Sequence, residues 1–141
     1  MRLTDSCDIA LRVLVLAASH PERLITIDEV VAVYGQPRGT VMKVVSALTR
    51  GKFLTAQRGR AGGLRLARPA SEISLADVIL HVEPDLQLVE CMRSGNQCVI
   101  TGNCRLISPL NKALQAFVDT LRDYSVADMI LPESTFARAS A

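Results

Sequence analysis

Three of the four cysteines of this 141-residue chain lie within fourteen residues, from Cys91 through Cys98 to Cys104. The residues between them are mostly polar and include two glycines and two asparagines, which tolerate left-handed backbone and let a loop turn sharply. Such a loop can direct three separated thiols at one point, as a chain does when it surrounds a metal centre. It is too polar and too rich in glycine to be a segment of the hydrophobic core.

The spacing of these cysteines favours a particular kind of metal centre. A structural zinc site usually has two cysteines separated by two to four residues and four protein ligands, and this loop has neither. Iron–sulfur clusters are bound by thiolates, often with one ligand of another type, and their separated iron atoms suit wide spacers. An iron–sulfur cluster is therefore our first interpretation. Zinc, a disulfide with one spare thiol and a thiol redox switch remain as alternatives.

Length and composition indicate one domain in the cytoplasm. The chain is long enough for one core, and no apolar run reaches the ~18 residues of a membrane-spanning helix. The N-terminus does not read as a cleavable signal, so we expect the thiols to remain reduced. Without a Cys-x-x-Cys pair or a partner histidine, a thiol oxidoreductase with Cys91 or Cys104 as nucleophile has little support, and we do not expect an enzyme.

The first helix, predicted over residues 4–18, has apolar residues every three or four positions. Cys7 lies on this apolar stripe, so we expect its side chain to be buried. Asp8 lies off the stripe and four residues before Arg12, the spacing of a surface ion pair.

A helix-turn-helix is predicted at about residues 26–51. Thr26 and Glu29 form a capping box, Gly35 can end this short helix in a left-handed cap, and Pro37 can open the next. The outward face of the second helix, about residues 37–50, is small, polar and basic, as in a recognition helix, although an ordinary solvated face is the alternative. The candidate DNA contacts here are Gln36, Arg38, Thr40, Lys43 and Arg50.

Residues 53–67 predict two short strands around a glycine-rich basic turn, which completes a winged helix. Arg58, Arg60 and Arg65 are the candidate DNA contacts of this wing, because arginines on such a tip can reach phosphates or a narrow minor groove. The net charge of +2 is small, but residues 38–68 contain lysines and arginines and no aspartate or glutamate. A mononucleotide phosphate site is disfavoured, because no strand-to-helix unit with Gly-Lys-Ser/Thr follows.

The second half of the chain predicts two further helices. A capping box from Ser74 to Asp77 opens a helix of about two turns, which Pro84 closes. After the cluster loop at 91–104, a long helix is predicted at about 105–124, with Ser108-Pro109 resembling its start. Its apolar residues alternate by three and four, as in a dimerisation seam: Ile107, Leu110, Leu114, Phe117, Leu121 and Tyr124. Residues 130–141 are expected to form a frayed tail.

With a winged helix, a three-cysteine loop and a long helix in this order, the chain resembles the dimeric iron–sulfur winged-helix repressors of bacteria, particularly their nitric-oxide-sensing members. The matching segments are Met1–Thr4, Arg12, Val33–Gly35, Lys43–Val45, Arg58–Gly63, Leu75–Val78, the three loop cysteines, Cys104–Leu106 and Ala127–Asp128. The fold implied is mainly α, with a winged helix-turn-helix domain, a two-stranded wing and a long C-terminal dimerisation helix, all within residues 2–129.

The resemblance also implies a function. The chain would be a homodimeric transcriptional repressor that binds an inverted-repeat operator in double-stranded DNA and is released when nitric oxide attacks its cluster. Cys91, Cys98 and Cys104 would bind that cluster, and Asp8 of the partner subunit would be the fourth ligand. A [4Fe-4S] cluster is favoured, with [2Fe-2S] as the alternative.

Two alternatives within this resemblance remain. Regulators of iron–sulfur assembly in this family would place a histidine three residues after the last cysteine, where this chain has Ile107. Sensing of iron–sulfur or redox status by the same loop is nevertheless the second interpretation. Cys7, beside Asp8, is a second candidate for the fourth ligand.

Overall fold

The computed structural model describes residues 2–137. Its helices and strands are α1 (Asp5–Ala18), α2 (Ile27–Tyr34), α3 (Arg38–Arg50), β1 (Leu54–Gln57), β2 (Gly63–Leu66), α4 (Leu75–Val82), α5 (Ile107–Arg122) and α6 (Ser134–Ala137). Short 3₁₀ helices lie at Ala70–Glu72, Glu90–Met92 and Val126–Met129. No helix in the described part of the chain is long and apolar enough to cross a membrane.

Helix α1 is the centre of the core and packs against α3, α4 and β2. Thr4 caps its N-terminus, because the Thr4 hydroxyl accepts a hydrogen bond from the backbone N–H of Cys7 at 3.2 Å. Val13, Leu14 and Leu16 are fully buried, and so is Cys7, as its position on the apolar stripe predicts. The first helix therefore joins α3 and the strand pair to α4, from which the cysteine loop follows.

Helices α2 and α3 form the predicted helix-turn-helix. The capping box is present, since Glu29 N–H donates to the Thr26 hydroxyl at 3.1 Å and Thr26 N–H donates to the Glu29 carboxylate at 3.4 Å. Gly35 ends α2 with a left-handed φ of 63°. Pro37 is the N-cap of α3, one position before the helix it was predicted to open. The face of α3 opposite the predicted recognition face is apolar and buried, through Val41, Val44, Val45 and Leu48.

Strands β1 and β2 form the predicted wing and pair antiparallel, from Leu54 opposite Leu66 to Gln57 opposite Gly63. The wing is anchored by Ile25, which exchanges two backbone hydrogen bonds with Leu64, at 3.0 and 2.7 Å. The two-stranded wing, the helix-turn-helix and the mainly helical content confirm the predicted fold class.

The N-termini of two helices differ in detail from the prediction. Ser74 is the N-cap of α4, as predicted, but the capping box is absent. The Ser74 side chain makes no capping hydrogen bond to α4, and its buried Oγ has no hydrogen-bond partner in residues 2–137. The backbone of Ser74 also forms an isolated bridge with Ser125, and the adjacent Leu75 N–H donates to the Tyr124 oxygen at 3.0 Å. Helix α5 starts at Ile107, so Pro109 lies inside its first turn, where backbone N–H groups have no helical partner and proline is tolerated.

The expected frayed tail is also wrong for residues 130–137. Leu131 N–H donates to the Ser19 hydroxyl at 3.0 Å, and the Phe136 side chain is only 8% exposed. The ring of Phe136 packs on the buried ring of His20, with 5.4 Å between centroids. These contacts hold the segment after α5 on the end of α1. The rest of the predicted tail, residues 138–141, lies outside the described residues.

Candidate metal centre and nucleic-acid interface

The outward face of α3 presents most of the predicted recognition residues to solvent. Lys43 and Arg50 are exposed, and neither forms an ion pair within residues 2–137. Arg38 is exposed and pairs with Asp28 of α2. Thr40 is half-buried, and the Gln36 amide donates to the backbone oxygen of Tyr34 at 3.4 Å. This face therefore has positive charge available for phosphates.

The wing carries the other predicted DNA contacts beside this face, because β1 packs against α3. Arg58 and Arg60 are exposed in the turn, and Arg65 donates to the Gln57 side chain across the strand pair at 3.3 Å. The turn is tight: a Cβ added to Gly62 would lie 2.3 Å from the Gln57 backbone oxygen. Helix α3 and the strand pair that carries the basic turn are thus packed together.

Two exposed basic side chains of this region were not chosen from the sequence. Lys52 follows α3 with a left-handed φ of 58°, and the Arg68 guanidinium lies 5.3 Å from the ring centre of Phe53. Neither residue lies on the outward helix face or in the wing from which the candidate DNA contacts were selected. The absence of acidic residues between positions 38 and 68 is the one sequence signal that includes both.

The loop that carries Cys91, Cys98 and Cys104 has no regular structure apart from one short 3₁₀ helix. All three thiols are free and half-buried. The hydroxyl of Thr101 donates to the Asn96 side chain and to the Cys98 backbone oxygen, both at 2.8 Å. The loop is held by its own local hydrogen bonds, and its cysteines remain accessible for ligation.

The three thiols do not converge in the single chain. Within residues 2–137, no three His, Cys, Asp or Glu side chains are placed to hold a metal ion. The donor set nevertheless fits an iron–sulfur cluster, because three unpaired, accessible cysteines in an irregular loop can supply the soft thiolate ligands that such clusters take.

The two candidates for a fourth ligand differ sharply in environment. The Asp8 carboxylate is exposed and forms a two-point ion pair with Arg12, at 2.7 and 3.0 Å. Cys7 is fully buried, and burial, followed by the nearby charge of Glu83, raises the pKa of its thiol to about 12. Because the thiolate is the ligating form, Cys7 is a poor ligand. Asp8 is available to another subunit once it leaves Arg12.

Sequence reasoning missed Glu83. Its carboxylate accepts hydrogen bonds from the N–H of Thr4 at 2.7 Å and from the Thr4 hydroxyl at 3.1 Å. The two residues are 79 positions apart, and no local pattern indicates that they meet.

The apolar face of α5 is only partly covered in the single chain. The predicted dimerisation residues Ile107, Leu110, Leu114, Phe117 and Leu121 are all half-buried, and Val118 is the buried residue of this helix. A groove of about 670 Å³ opens between α5, the N-terminal residues and the segment after α4. Its apolar walls include Leu3, Leu86, Leu88, Leu110, Leu114 and Phe117.

Comparison with known proteins places this arrangement among regulators. A family profile described as "Rrf2, iron-dependent transcriptional regulator" matches residues 3–132. The fold is similar to IscR of T. potens, with a TM-score of 0.74 and 18% identity over 92% of this chain and 85% of IscR. It is also similar to the oxidized form of Staphylococcus aureus CymR, with a TM-score of 0.71 and 19% identity over 90% of this chain and 94% of CymR.

A third similar structure is CymR, the global cysteine regulator of B. subtilis, with a TM-score of 0.69 and 15% identity over 92% of this chain and 95% of that one. At these identities, the likeness shows the fold alone.

Proposed function

The chain belongs to the Rrf2 family of transcriptional regulators, and on this premise we propose that it is a homodimeric repressor whose DNA binding depends on an iron–sulfur cluster. Members of this family bind DNA, typically as dimers, and are regulators rather than enzymes. The thiol oxidoreductase interpretation is therefore dropped. A DNA partner also implies a cytoplasmic location.

The observation that carries the proposal is the set of three free, accessible cysteines in one irregular loop. Cys91, Cys98 and Cys104 hold the cluster, with [4Fe-4S] favoured over [2Fe-2S]. When bound, the cluster supplies iron that reacts with nitric oxide. A loop with few contacts to the rest of the chain can close around a cluster at little structural cost, and it can also relax when the cluster is lost.

Asp8 of the partner subunit completes the site. To reach it, Asp8 exchanges its ion pair with Arg12 for a bond to iron. The side chains of this pair are 52% and 43% exposed, and exposed pairs contribute only about 0.2–1 kcal/mol, so the exchange costs little. A carboxylate is a harder ligand than a thiolate, so its bond to the cluster is the more labile one.

The fold links Asp8 to the DNA-reading surface. Asp8 lies in the first turn of α1, and α1 packs directly against the recognition helix α3. A dimer must hold its two recognition helices roughly 34 Å apart to enter successive major grooves of an inverted repeat. A coupling of only ~1–3 kcal/mol between cluster and DNA changes the affinity about 5- to 150-fold, which is enough for a repressor.

The DNA contacts assigned to this surface are Gln36, Arg38, Thr40, Lys43 and Arg50 on or before α3, and Arg58, Arg60 and Arg65 on the wing. Exposed positive charge on both units supports this assignment. The half-buried seam on α5 packs against the same helix of a second chain, since an apolar helix face left open in one chain needs a partner.

Nitric oxide is the proposed signal, as in NsrR, the nitric-oxide-sensing repressor that the chain resembles. Ile107 stands where the regulators of iron–sulfur assembly would have a histidine, which supports this choice. Sensing of iron–sulfur or redox status remains the second candidate, because the same loop would serve it.

Purification without oxygen tests the proposal. We expect visible absorption from a cluster and, for [4Fe-4S], about four iron and four sulfide per subunit. Addition of a few equivalents of nitric oxide per cluster should abolish both the visible absorption of the cluster and operator binding. A sensor of redox status should instead lose operator binding first when an oxidant is added. A colourless protein with full operator affinity would refute the cluster-dependent mechanism.

A further inference from the structure

The Glu83 carboxylate closes the N-terminal end of α1 from a distant part of the chain. Its Oε1 accepts hydrogen bonds from the backbone N–H and the hydroxyl of Thr4, at 2.7 and 3.1 Å. The same hydroxyl accepts from the N–H of Cys7, as the helix cap does. One carboxylate therefore fixes the capping residue that starts α1.

Glu83 also marks the point where the chain leaves α4 for the cysteine loop. Its backbone N–H donates to the Ile79 oxygen at 2.9 Å, in the last hydrogen bond of α4, and Pro84 prevents further helix. Asp8 lies one turn beyond Thr4 along α1. The contact between Thr4 and Glu83 thus joins two segments that carry proposed cluster ligands. One is the first turn of α1, which contains Asp8, and the other is the start of the segment that leads from α4 to the cysteine loop.

This contact is of a strong type. No lysine, arginine or histidine of the described chain forms an ion pair with Glu83. Its neighbours there are the Thr4 donors and the Cys7 thiol at the α1 N-terminus, whose dipole favours a negative charge. Hydrogen bonds to an ionised carboxylate are shorter and stronger than neutral ones. The first turn of α1 and the segment after α4 are therefore expected to move together.

We propose that Glu83 is a positioning residue that couples the two clusters of the dimer, an inference that rests on the proposed function. Asp8 of one chain binds the partner's cluster. In that same chain, the Glu83 contact connects the first turn of α1, which carries Asp8, to the segment that leads into the chain's own cysteine loop. When the partner's cluster is lost, Asp8 is released, the first turn of α1 loosens, and the loop holding the remaining cluster loosens with it. Each cluster therefore stabilises the other.

Coupling of this kind can be measured as the fraction of dimers that carry a single cluster. If the two clusters bind independently, about half of the dimers carry one cluster when half of the sites are filled. A tenfold coupling lowers that share to about one quarter. Native mass spectrometry during stepwise removal of iron by a chelator counts dimers with two, one and no clusters.

Three variants separate positioning from general damage. Glu83→Ala removes the contact, whereas Glu83→Gln keeps an oxygen that can accept from Thr4. Asp85→Ala is the matched control, because its carboxylate lies in the same segment but accepts from Gln87 N–H, at 3.0 Å. We expect one-cluster dimers to stay scarce in the wild type, in Glu83→Gln and in Asp85→Ala, and to reach about half in Glu83→Ala.

Amide hydrogen exchange on the cluster-free protein tests the contact itself. Exchange in residues 4–9 and 84–90 should rise at least about tenfold in Glu83→Ala. In Asp85→Ala, exchange in residues 4–9 should stay at the wild-type rate, and any rise should be confined to the Gln87 amide, which loses its hydrogen bond. If Glu83→Ala does not fold, Thr4→Val removes one donor to Glu83 from the other side. Because Thr4→Val also removes the α1 cap, the informative result is a rise in residues 84–90, which should be smaller than in a variant that loses the whole contact.

The outcomes separate this inference from the proposed function. A wild-type protein that binds clusters but shows half of its dimers with one cluster overturns the coupling and leaves the proposed function intact. Unchanged exchange in Glu83→Ala also overturns it. A wild-type protein that binds no cluster overturns the proposed function, and the coupling falls with it.

Discussion

Replacing Asp8 with alanine separates its two alternative roles, a surface ion pair and a cluster ligand. In the ion-pair role, the loss is small: an exposed pair contributes about 0.2–1 kcal/mol, and a carboxylate in the first helical turn adds about 0.3–1 kcal/mol. Asp8→Ala should therefore fold normally, with a free energy of unfolding at most ~2 kcal/mol below wild type. A change of that size does not by itself alter DNA affinity.

In the ligand role, the effect appears only when the cluster is present. Asp8→Ala should still assemble a cluster on its three cysteines, because thiolates are the preferred ligands. Its affinity for operator should fall about 5- to 150-fold relative to the cluster-loaded wild type, and the cluster-free forms of both proteins should bind equally. The variant should also lose most of its response to nitric oxide.

Fluorescence anisotropy with a labelled operator, measured without oxygen, gives these four affinities. Asp5→Ala is the matched control, because Asp5 also lies in the first turn of α1 and pairs with a nearby arginine, Arg2, at 3.6 Å. Its affinity and release should match the wild type. If Asp8→Ala keeps wild-type affinity and is released normally by nitric oxide, the ligand assignment is wrong and Asp8 is a surface ion-pair residue.

Three further predictions concern other parts of the chain. Lys43→Ala and Arg60→Ala should each weaken operator binding by about 1–3 kcal/mol if the side chain reads a base, or mainly reduce the salt dependence of binding if it contacts phosphate. Unchanged binding in both variants would refute the proposed DNA surface. Cys7→Ala should keep its full iron and sulfide content, since the buried thiol resists ionisation; loss of the cluster in this variant would make Cys7 a ligand. Phe136→Ala should lower the free energy of unfolding by about 3–5 kcal/mol, as measured by urea denaturation, because the ring is 8% exposed and packed on His20; a loss below about 1 kcal/mol would mean that the segment after α5 is not held as described.

Local patterns predicted the helix-turn-helix and the wing well. The Thr26 capping box, the left-handed cap at Gly35 and the wing around Gly62 all depend on residues within a few positions of one another. In such segments, backbone conformation and side-chain chemistry act over one turn, so the sequence contains the necessary information.

Long-range contacts account for the misses. Ser74 is the N-cap of α4, but its side chain makes no capping hydrogen bond, and its backbone pairs with Ser125, which is distant in the sequence. The segment expected to fray is held by the bond from Leu131 to Ser19, 112 positions away. The contact of Glu83 with Thr4 was missed for the same reason. No window of the sequence brings such residues together, because only the packed fold makes them neighbours.

The candidate site also has features that local sequence predicts and features that depend on distant residues. The spacing of the cysteines predicts an iron–sulfur ligand for their loop, and the structure shows three free, half-buried thiols there. The helical period predicted that Cys7 is buried, which the structure confirms. The convergence of the three thiols is not present in the single chain, and the proposed site needs a residue of a second subunit. The completed site therefore remains a prediction.

The most direct test measures cluster content and operator affinity on the same anaerobic samples of the wild type and of Cys91→Ala, Cys98→Ala and Cys104→Ala. The operator can be selected from random-sequence DNA with the wild-type protein. The wild type should contain a full cluster and bind tightly, and each variant should lack the cluster and bind at least about tenfold more weakly. Nitric oxide should lower the wild-type affinity to the level of the variants. A variant that retains a full cluster, or a wild type that binds equally well with and without its cluster, would contradict the account.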